Sequence, residues 1–456
     1  MKLKLFTTVT IILAAITTMI AQTKSAATLR LEEYQSSGNC NVNIPTNNPE
    51  WNLEFEVTNL TGDLAPNDFY TRRDPSSVLR VNDKYYVWYS YSLSNGAGKI
   101  SPWDLNDLYY ATSTDGYQWT EQGVAVARGP VGSFDHRSAF TTEIFHHNGM
   151  FYLVYQASDT QANLNSNNTI AMAYSSSPDG PWTKLDNPIL YPSSGESIAF
   201  DKNAVHDPCI IYFNNKFYMY YKGEGNQSSI CSYNTQIWGT SNKQVKWGVA
   251  IADNVTGPYV KSEYNPITNT GHEVCIWHSG DGLGIMLHQD GPEYGTTQYS
   301  SDGLNFEIMG KVDFPLKQPW NSTYPEAAGL YRSETSNTNA ASGVYWGLSH
   351  VLNWGGNYGS WMYIRRFDLK RNTASVKDIQ KLYGVNIYPN PVDSIIHIDK
   401  FDNGKVTLYD MNGAMLKEIN ASEAKSGINM SDFSSGIYYL SFKTASASFS
   451  TKVLKN

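Results

Sequence analysis

One pattern recurs along this chain and restricts its fold more than any other: a strand, an Asn/Asp/Gly turn, an aromatic or β-branched strand, then a strand of small apolar residues, about every 65 residues. The copies begin at Ser77-Val78-Leu79, Glu143-Ile144-Phe145, Asp207-Pro208-Cys209, Glu273-Val274-Cys275 and Ala327-Ala328-Gly329. Turns such as Asn148-Gly149 and Asn214-Asn215 suit hairpins, and Asp115-Gly116-Tyr117-Gln118-Trp119 and Asp179-Gly180-Pro181-Trp182 lead into a fourth strand. An antiparallel sheet repeated five times with that spacing predicts an all-β chain built on a five-bladed β-propeller over residues 61–369. The aromatic share of 13% and charged share of 17% suit sheets and sugar-binding surfaces. A net charge of -8 argues against a nucleic-acid partner, and against strongly acidic substrates unless a local basic patch overrides it.

The flanks differ from this core. Residues 1–21 combine Lys2 and Lys4 with a short apolar run and Ala21, which predicts an export signal peptide. Residues 22–60 form an arm with a short helix starting near Ser25, too small to be stable unless it docks on something. Residues 370–384 read as a linker, and 385–456 as a small C-terminal β-sandwich of alternating strands. Four cysteines are too few and too irregular for a disulfide framework or a zinc site; Cys209 and Cys275, in apolar runs, read as buried free thiols.

In a propeller the inner strand of every blade starts near the axis, so polar residues just before it converge on one funnel. Here these are Asp74, the Thr141-Thr142-Glu143 group, His206-Asp207, His272-Glu273 and Glu326. Paired acids in an aromatic-lined cleft are the equipment of glycoside hydrolysis, and a cross-funnel separation that leaves room for water favours inversion. Arg73, beside Asp74, reads as holding that carboxylate ionised and oriented. Trp103 is a candidate for stacking on a sugar ring, and His136 precedes the second blade within reach of the funnel. No cluster is spaced to ligate a metal, so neither metal nor cofactor is expected.

Thr71-Arg72-Arg73-Asp74-Pro75-Ser76, Asn203-Ala204-Val205-His206-Asp207-Pro208 and Gly271-His272-Glu273-Val274 resemble the motifs of glycoside hydrolase family 117, the α-1,3-(3,6-anhydro)-L-galactosidases. The resemblance covers residues 25–369 and implies release of 3,6-anhydro-L-galactose from the non-reducing end of neoagarooligosaccharides. It implies Asp74 as the general base, Asp207 as an orienting or tuning acid, and His272 as proton donor with Glu273 beside it as the rival acid. Thr141, Gln156 and His206 match substrate-contacting positions. Ser25-X-Ala27-X-X-Arg30 matches the helical motif through which this family forms domain-swapped dimers, implying a homodimer.

Tyr388-Pro389-Asn390-Pro391, Gly436-Ile437-Tyr438-Tyr439 and the basic end resemble the C-terminal sorting domain of the type IX secretion system, which implies a secreted or surface-attached protein. Two other readings stay open: a family 43-like arabinofuranosidase or xylosidase, which shares the Arg73-Asp74-Pro75 motif, and a surface glycan-binding propeller without chemistry.

Overall fold

The computed structural model describes residues 23–456 except 95–98, 100, 162–167, 196–198, 229–242, 289–290, 314–343, 345, 354–356, 358, 371–383, 411–413 and 444–447. The expected signal peptide, the start of the fifth unit with Glu326, and nearly all of the linker lie outside the described residues.

The chain is mostly β, in successive antiparallel meanders. Strands Tyr70–Arg73, Lys84–Leu93, Asp107–Ser113 and Gln118–Val126 make the first sheet, with Leu79–Val81 also paired to Lys84–Leu93. Ser138–His147, Met150–Ser158, Thr169–Ser175 and Thr183–Lys184 make the second. Ala204–Phe213, Lys216–Ser228, Lys243–Ala252 and Val260–Lys261 make the third. The fourth sheet is wider. Glu273–Ser279, Gly282–His288, Thr296–Ser300 and Glu307–Asp313 are joined to Trp361–Leu369 and Trp346–Asn353 by the N-terminal strand Leu53–Asn59. That strand runs parallel to Glu307–Asp313 and antiparallel to Trp361–Leu369, so the start of the chain fastens its end.

Alternation along the strands gives each sheet two apolar faces, and each face is buried against a neighbour. Trp88 and Leu153 belong to a cluster between the first and second sheets, and Met172 and Met219 to one between the second and third. Trp247 and Ile285 join the third to the fourth. Phe55, Trp277 and Phe367 fill the fourth sheet, while Val87 and Trp119 of the first sheet pack on Leu348 and Ile364, which returns the succession to its start. Two sheets repeat a buried polar staple: Asp135 takes Tyr155 Oη at 3.2 Å and Lys184 Nζ at 2.6 Å, and Asp201 takes Tyr221 Oη at 3.0 Å and Lys261 Nζ at 2.6 Å. In both, the outermost strand is tied to the second strand of its own sheet.

The arm's helix spans Ala26–Ser37, N-capped by the Ser25 side chain on Thr28 N–H and closed by Gly38 in the left-handed region. It lies on the body of its own chain. Ser25 Oγ donates to Pro266 O at 2.6 Å, Ala27 is fully buried and Arg30 makes a two-pronged pair with Glu293 at 2.6 and 3.0 Å. All three motif residues thus take part in the docking, with Leu31 buried and Tyr34 bonded to Glu293 beside them. Cysteine usage differs in two respects from the sequence reading. Cys275 is a buried thiol as expected, but Cys209 is only half-buried, and Cys40 is disulfide-bonded. No helix among the described residues is long and apolar enough to cross a membrane.

At the C-terminus, a three-stranded sheet (Asn386–Tyr388, Ile395–Asp399, Ile428–Asn429) and a four-stranded one (Met415–Asn420, Lys405–Tyr409, Gly436–Lys443, Ser448–Lys455) share one core. Ile396 and Ile398 from the first meet Leu408, Leu440 and Phe442 from the second.

Candidate active site

The site is built on a backbone irregularity common to three sheets. Asp74, Thr141 and Asp207 all have φ of 47°, a left-handed conformation that is uncommon for non-glycine residues and an outlier for a β-branched one. Each interrupts an inner strand. Asp74 falls between Tyr70–Arg73 and Leu79–Val81, and the pairing register shifts between Phe140 and Thr142 and again between His206 and Cys209. Such a bulge bends the strand and re-aims one side chain. Asp74 and Thr141, from neighbouring sheets, are thereby brought into contact.

Asp74 is 2% exposed. Its Oδ2 accepts Thr141 Oγ1–H at 2.6 Å, with Arg73 Nη2 at 2.5 Å and Ser90 Oγ at 3.5 Å. His350 Nδ1 stands 3.1 Å from Oδ1 and 3.0 Å from the Asp74 amide nitrogen. A neutral ring accepts that amide proton at Nδ1; a protonated ring donates to Oδ1 instead. Burial pushes the His350 pKa down, against the pull of Asp74, which favours the neutral form. For Asp74, burial alone would raise the pKa, yet Arg73 above all, with the Thr141 hydroxyl, outweighs it and holds the carboxyl far below the usual carboxylate range. Arg73 is itself fixed, its guanidinium lying over the rings of Trp103 at 5.4 Å and Phe140 at 5.6 Å.

A second group gathers on the third sheet. Asp207 pairs with Lys222 Nζ at 2.5 Å, and Gln156 Nε2 lies 2.6 Å from His206 Nδ1. Glu224 stands 3.7 Å from His206 Nε2. Lys222 and Glu224, two apart on one strand, thus address the adjacent residues Asp207 and His206 of the inner strand. Burial lowers the His206 pKa, and Glu224, Lys222, Asp207 and His272 all act on it electrostatically, so His272 faces this group. His272 is half-buried and is placed by Gly271, whose φ of 123° and tight approach to Val274 exclude a side chain. Asp207 and Arg73 both act on His350, which joins the two groups.

The sequence-derived residues are therefore mostly brought together: Arg73, Asp74 and Thr141 with Trp103 on one side, Gln156, His206, Asp207 and His272 on the other. The Glu273 side chain lies outside what the structure describes. Trp103 is half-buried against Leu352 and Met362, with Arg73 over its ring. His136 bonds within its own turn, Nδ1 to Ser133 O at 3.0 Å, and among the described residues no contact ties it to the cluster. Glu143 meets the backbone of Ser77. Both its oxygens face Ser77 N–H, at 3.0 and 3.1 Å, and it lines an apolar cavity with Cys209, Ile210, Ile276 and Trp277. Sequence reasoning missed His350 and Ser90; Lys222 and Glu224 were noted only as residues that could pair within the third sheet. Among the described residues, no group of three or more His, Cys, Asp or Glu is arranged to hold a metal ion.

The chain is similar to known proteins. The chain is 33% identical to the structure titled Zg3597, a family 117 glycoside hydrolase, produced by the marine bacterium Zobellia galactanivorans; the match covers 70% of this chain and 91% of that one, with a TM-score of 0.58. The chain belongs to glycoside hydrolase family 117. The model of glycosyl hydrolases family 43 matches residues 69–208, a stretch that opens just before Asp74 and closes just after Asp207. Residues 386–456 match the secretion system C-terminal sorting domain, the type IX export tail. More distant structures include a GH43_1 enzyme from Xanthomonas citri (12% identity, 69% of this chain and 90% of that one, TM-score 0.42) and CoXyl43, a GH43 beta-xylosidase/alpha-arabinofuranosidase from a compost microbial metagenome (14%, 68% and 94%, 0.43). No curated protein matches. This family 117 chain is a glycoside hydrolase with a propeller-like catalytic body and a sorting tail for export.

Proposed function

We propose that this enzyme is an exo-acting, inverting glycosidase that releases 3,6-anhydro-L-galactose from the non-reducing end of neoagarobiose and longer neoagarooligosaccharides. The observation that carries the reading is Asp74: a buried carboxylate kept ionised by Arg73 and Thr141, in a chain of family 117. In the reaction a water attacks the anomeric carbon and its proton passes to Asp74. His272, or Glu273 next to it, gives a proton to the leaving glycosidic oxygen, and Asp207, held by Lys222, orients the pocket. A carboxylate of such low basicity is a weak base towards bulk water. It becomes adequate only when the attacking oxygen bonds to carbon and turns acidic, which confines proton transfer to the transition state. Trp103, Thr141, Gln156 and His206 line the sugar, and no metal or cofactor takes part in the proposed steps.

Incubation with neoagarobiose, with the anomeric signals followed by NMR, tests this directly. Anhydrogalactose should appear first as the inverted anomer, and Asp74→Asn should abolish turnover while binding persists. No release from neoagarobiose would sink the substrate assignment; an initially retained anomer would sink inversion. The family 43 match over residues 69–208 supports a second reading, an arabinofuranosidase or xylosidase, for which cleavage of the aryl glycosides of those sugars is the test.

The architecture proposed with this activity is five-bladed, the wide fourth sheet counting as two blades, with a C-terminal β-sandwich. Export would begin at a signal peptide over residues 1–21 and end at the outer surface. The helix motif supports a homodimer in which the partner's Ser25 and Arg30 take the place seen here within one chain; light scattering of wild type and Arg30→Met checks it.

A further inference from the structure

Strand Lys84–Leu93 carries Ser90 and Ser92 on one face. Ser90 Oγ lies 3.5 Å from Asp74 Oδ2 and accepts Thr141 N–H at 2.7 Å. Ser92 Oγ accepts from Lys99 Nζ at 2.5 Å. Two residues along a strand advance about 7 Å, so the Lys99 ammonium stands about one monosaccharide away from the Asp74 carboxylate on the same wall. Lys99 also leads the loop that carries Trp103, the ring beneath Arg73.

The bonding of Lys99 among the described residues is incomplete. An ammonium has three N–H donors; two go to Ser92 Oγ and, at 2.8 Å, to Leu93 O, both neutral acceptors. The charged groups facing it are Arg73, which repels it, and Asp104, which attracts it. Asp104 is already clamped by Arg137 at 2.6 and 2.5 Å, and Arg73 by Asp74. Burial, then Arg73, pushes the Lys99 pKa down to about 8, so the group still carries its charge at neutral pH. A half-buried cation that, among the described residues, is bonded to two neutral acceptors and keeps a third donor suits an anion receptor better than a structural element.

We infer that Lys99 is an anion-recognising element of the substrate site, so that an oligosaccharide whose sugar beside the one at Asp74 carries a carboxylate or a sulfate ester is bound more tightly than its uncharged counterpart, neoagarobiose included. The inference rests on reading Asp74 as the wall of the catalytic pocket. It overrides, at this one place, the weak expectation from the net charge of -8 that acidic substrates are disfavoured.

Calorimetric titration of the full chain with glucuronate, galactose 6-sulfate and galactose tests it, using wild type, Lys99→Met and Lys99→Arg. One charged sugar should bind at least tenfold more tightly than galactose, and which one does so identifies the substituent. Lys99→Met should bring the preference to within twofold, and Lys99→Arg should keep it. In wild type the preference should fall between pH 7 and pH 9.5 as Lys99 loses its proton, and in Lys99→Arg it should not. Equal binding of galactose, an unchanged preference in Lys99→Met, or no binding of any of the three overturns the inference. Turnover of neoagarobiose by wild type and its loss in Asp74→Asn are scored separately, so failure of the glycosidase reading is distinguishable from failure of this one.

Discussion

Replacing Arg30 with methionine removes the cation from a buried carboxylate while keeping most of the side chain's length. Glu293 is 0% exposed, and Arg30 supplies it with two hydrogen bonds, at 2.6 and 3.0 Å, besides one to Phe306 O at 2.8 Å. Breaking a buried pair from one side costs about 3–5 kcal/mol, because the remaining charge is stranded. Glu293 keeps Gln298 Nε2 at 2.8 Å and Tyr34 Oη at 3.3 Å as donors, which points to the lower end, about 3 kcal/mol. The apolar side of the docking is small, since only Ala27 and Leu31 are buried, and a helix this short does not persist alone in water. The loss should therefore appear first as local undocking rather than global unfolding. Amide hydrogen exchange over residues 26–37 should accelerate about 100-fold in Arg30→Met, at 1.4 kcal/mol per tenfold. Glu293→Gln added to it should recover part of the protection, because the amide needs no counter-charge. Exchange within threefold of wild type, or double-variant costs that simply add, would refute the view that this ion pair holds the arm.

Two further perturbations follow from the same reasoning. Arg73→Met removes the largest influence keeping the Asp74 carboxyl ionised. A depressed carboxyl pKa contributes stability and activity present at higher pH and lost as pH falls through it. The acid limb of the pH–rate profile should thus move to higher pH in the variant, and an unmoved limb would mean that Arg73 only packs. Lys261→Met leaves Asp201, 1% exposed, with Tyr221 as its remaining neutral donor. It should cost about 3 kcal/mol in denaturant unfolding, and a cost below about 1 kcal/mol would show the staple to be dispensable.

The repeat was legible in the sequence because hairpin turns and alternating aromatics are local signals: Asn148-Gly149 and Asn214-Asn215 close hairpins at the expected places. The acids were legible because Asp74 and Asp207 precede proline in similar contexts. His350 was not. It lies within Trp346–Asn353, among apolar neighbours that mark it only as a polar residue in a buried strand, and its role arises from a contact 276 residues away in sequence. The Cys40 bridge was hidden because cysteine spacing in a large domain carries no pairing information.

Thr141 shows how the repeat becomes a site. Asp74, Thr141 and Asp207 share one strained backbone conformation, so the fold offers the same re-aimed position in three sheets and leaves the chemistry to the side chain. At the middle position a threonine donates to Asp74 at 2.6 Å. An aspartate there would set two carboxylates at hydrogen-bond distance, where one must hold a proton and its pKa rises. Thr141→Asp should then shift the acid limb of activity upward and cut turnover, whereas Thr141→Ser, which keeps the donor, should leave the limb in place. The strain argues the same way. Aspartate tolerates the left-handed region better than a β-branched residue does, so Thr141→Asp relieves backbone cost while losing function. If the variant were both fully active and unshifted in its pH profile, the ionised state of Asp74 could not depend on the hydroxyl that faces it.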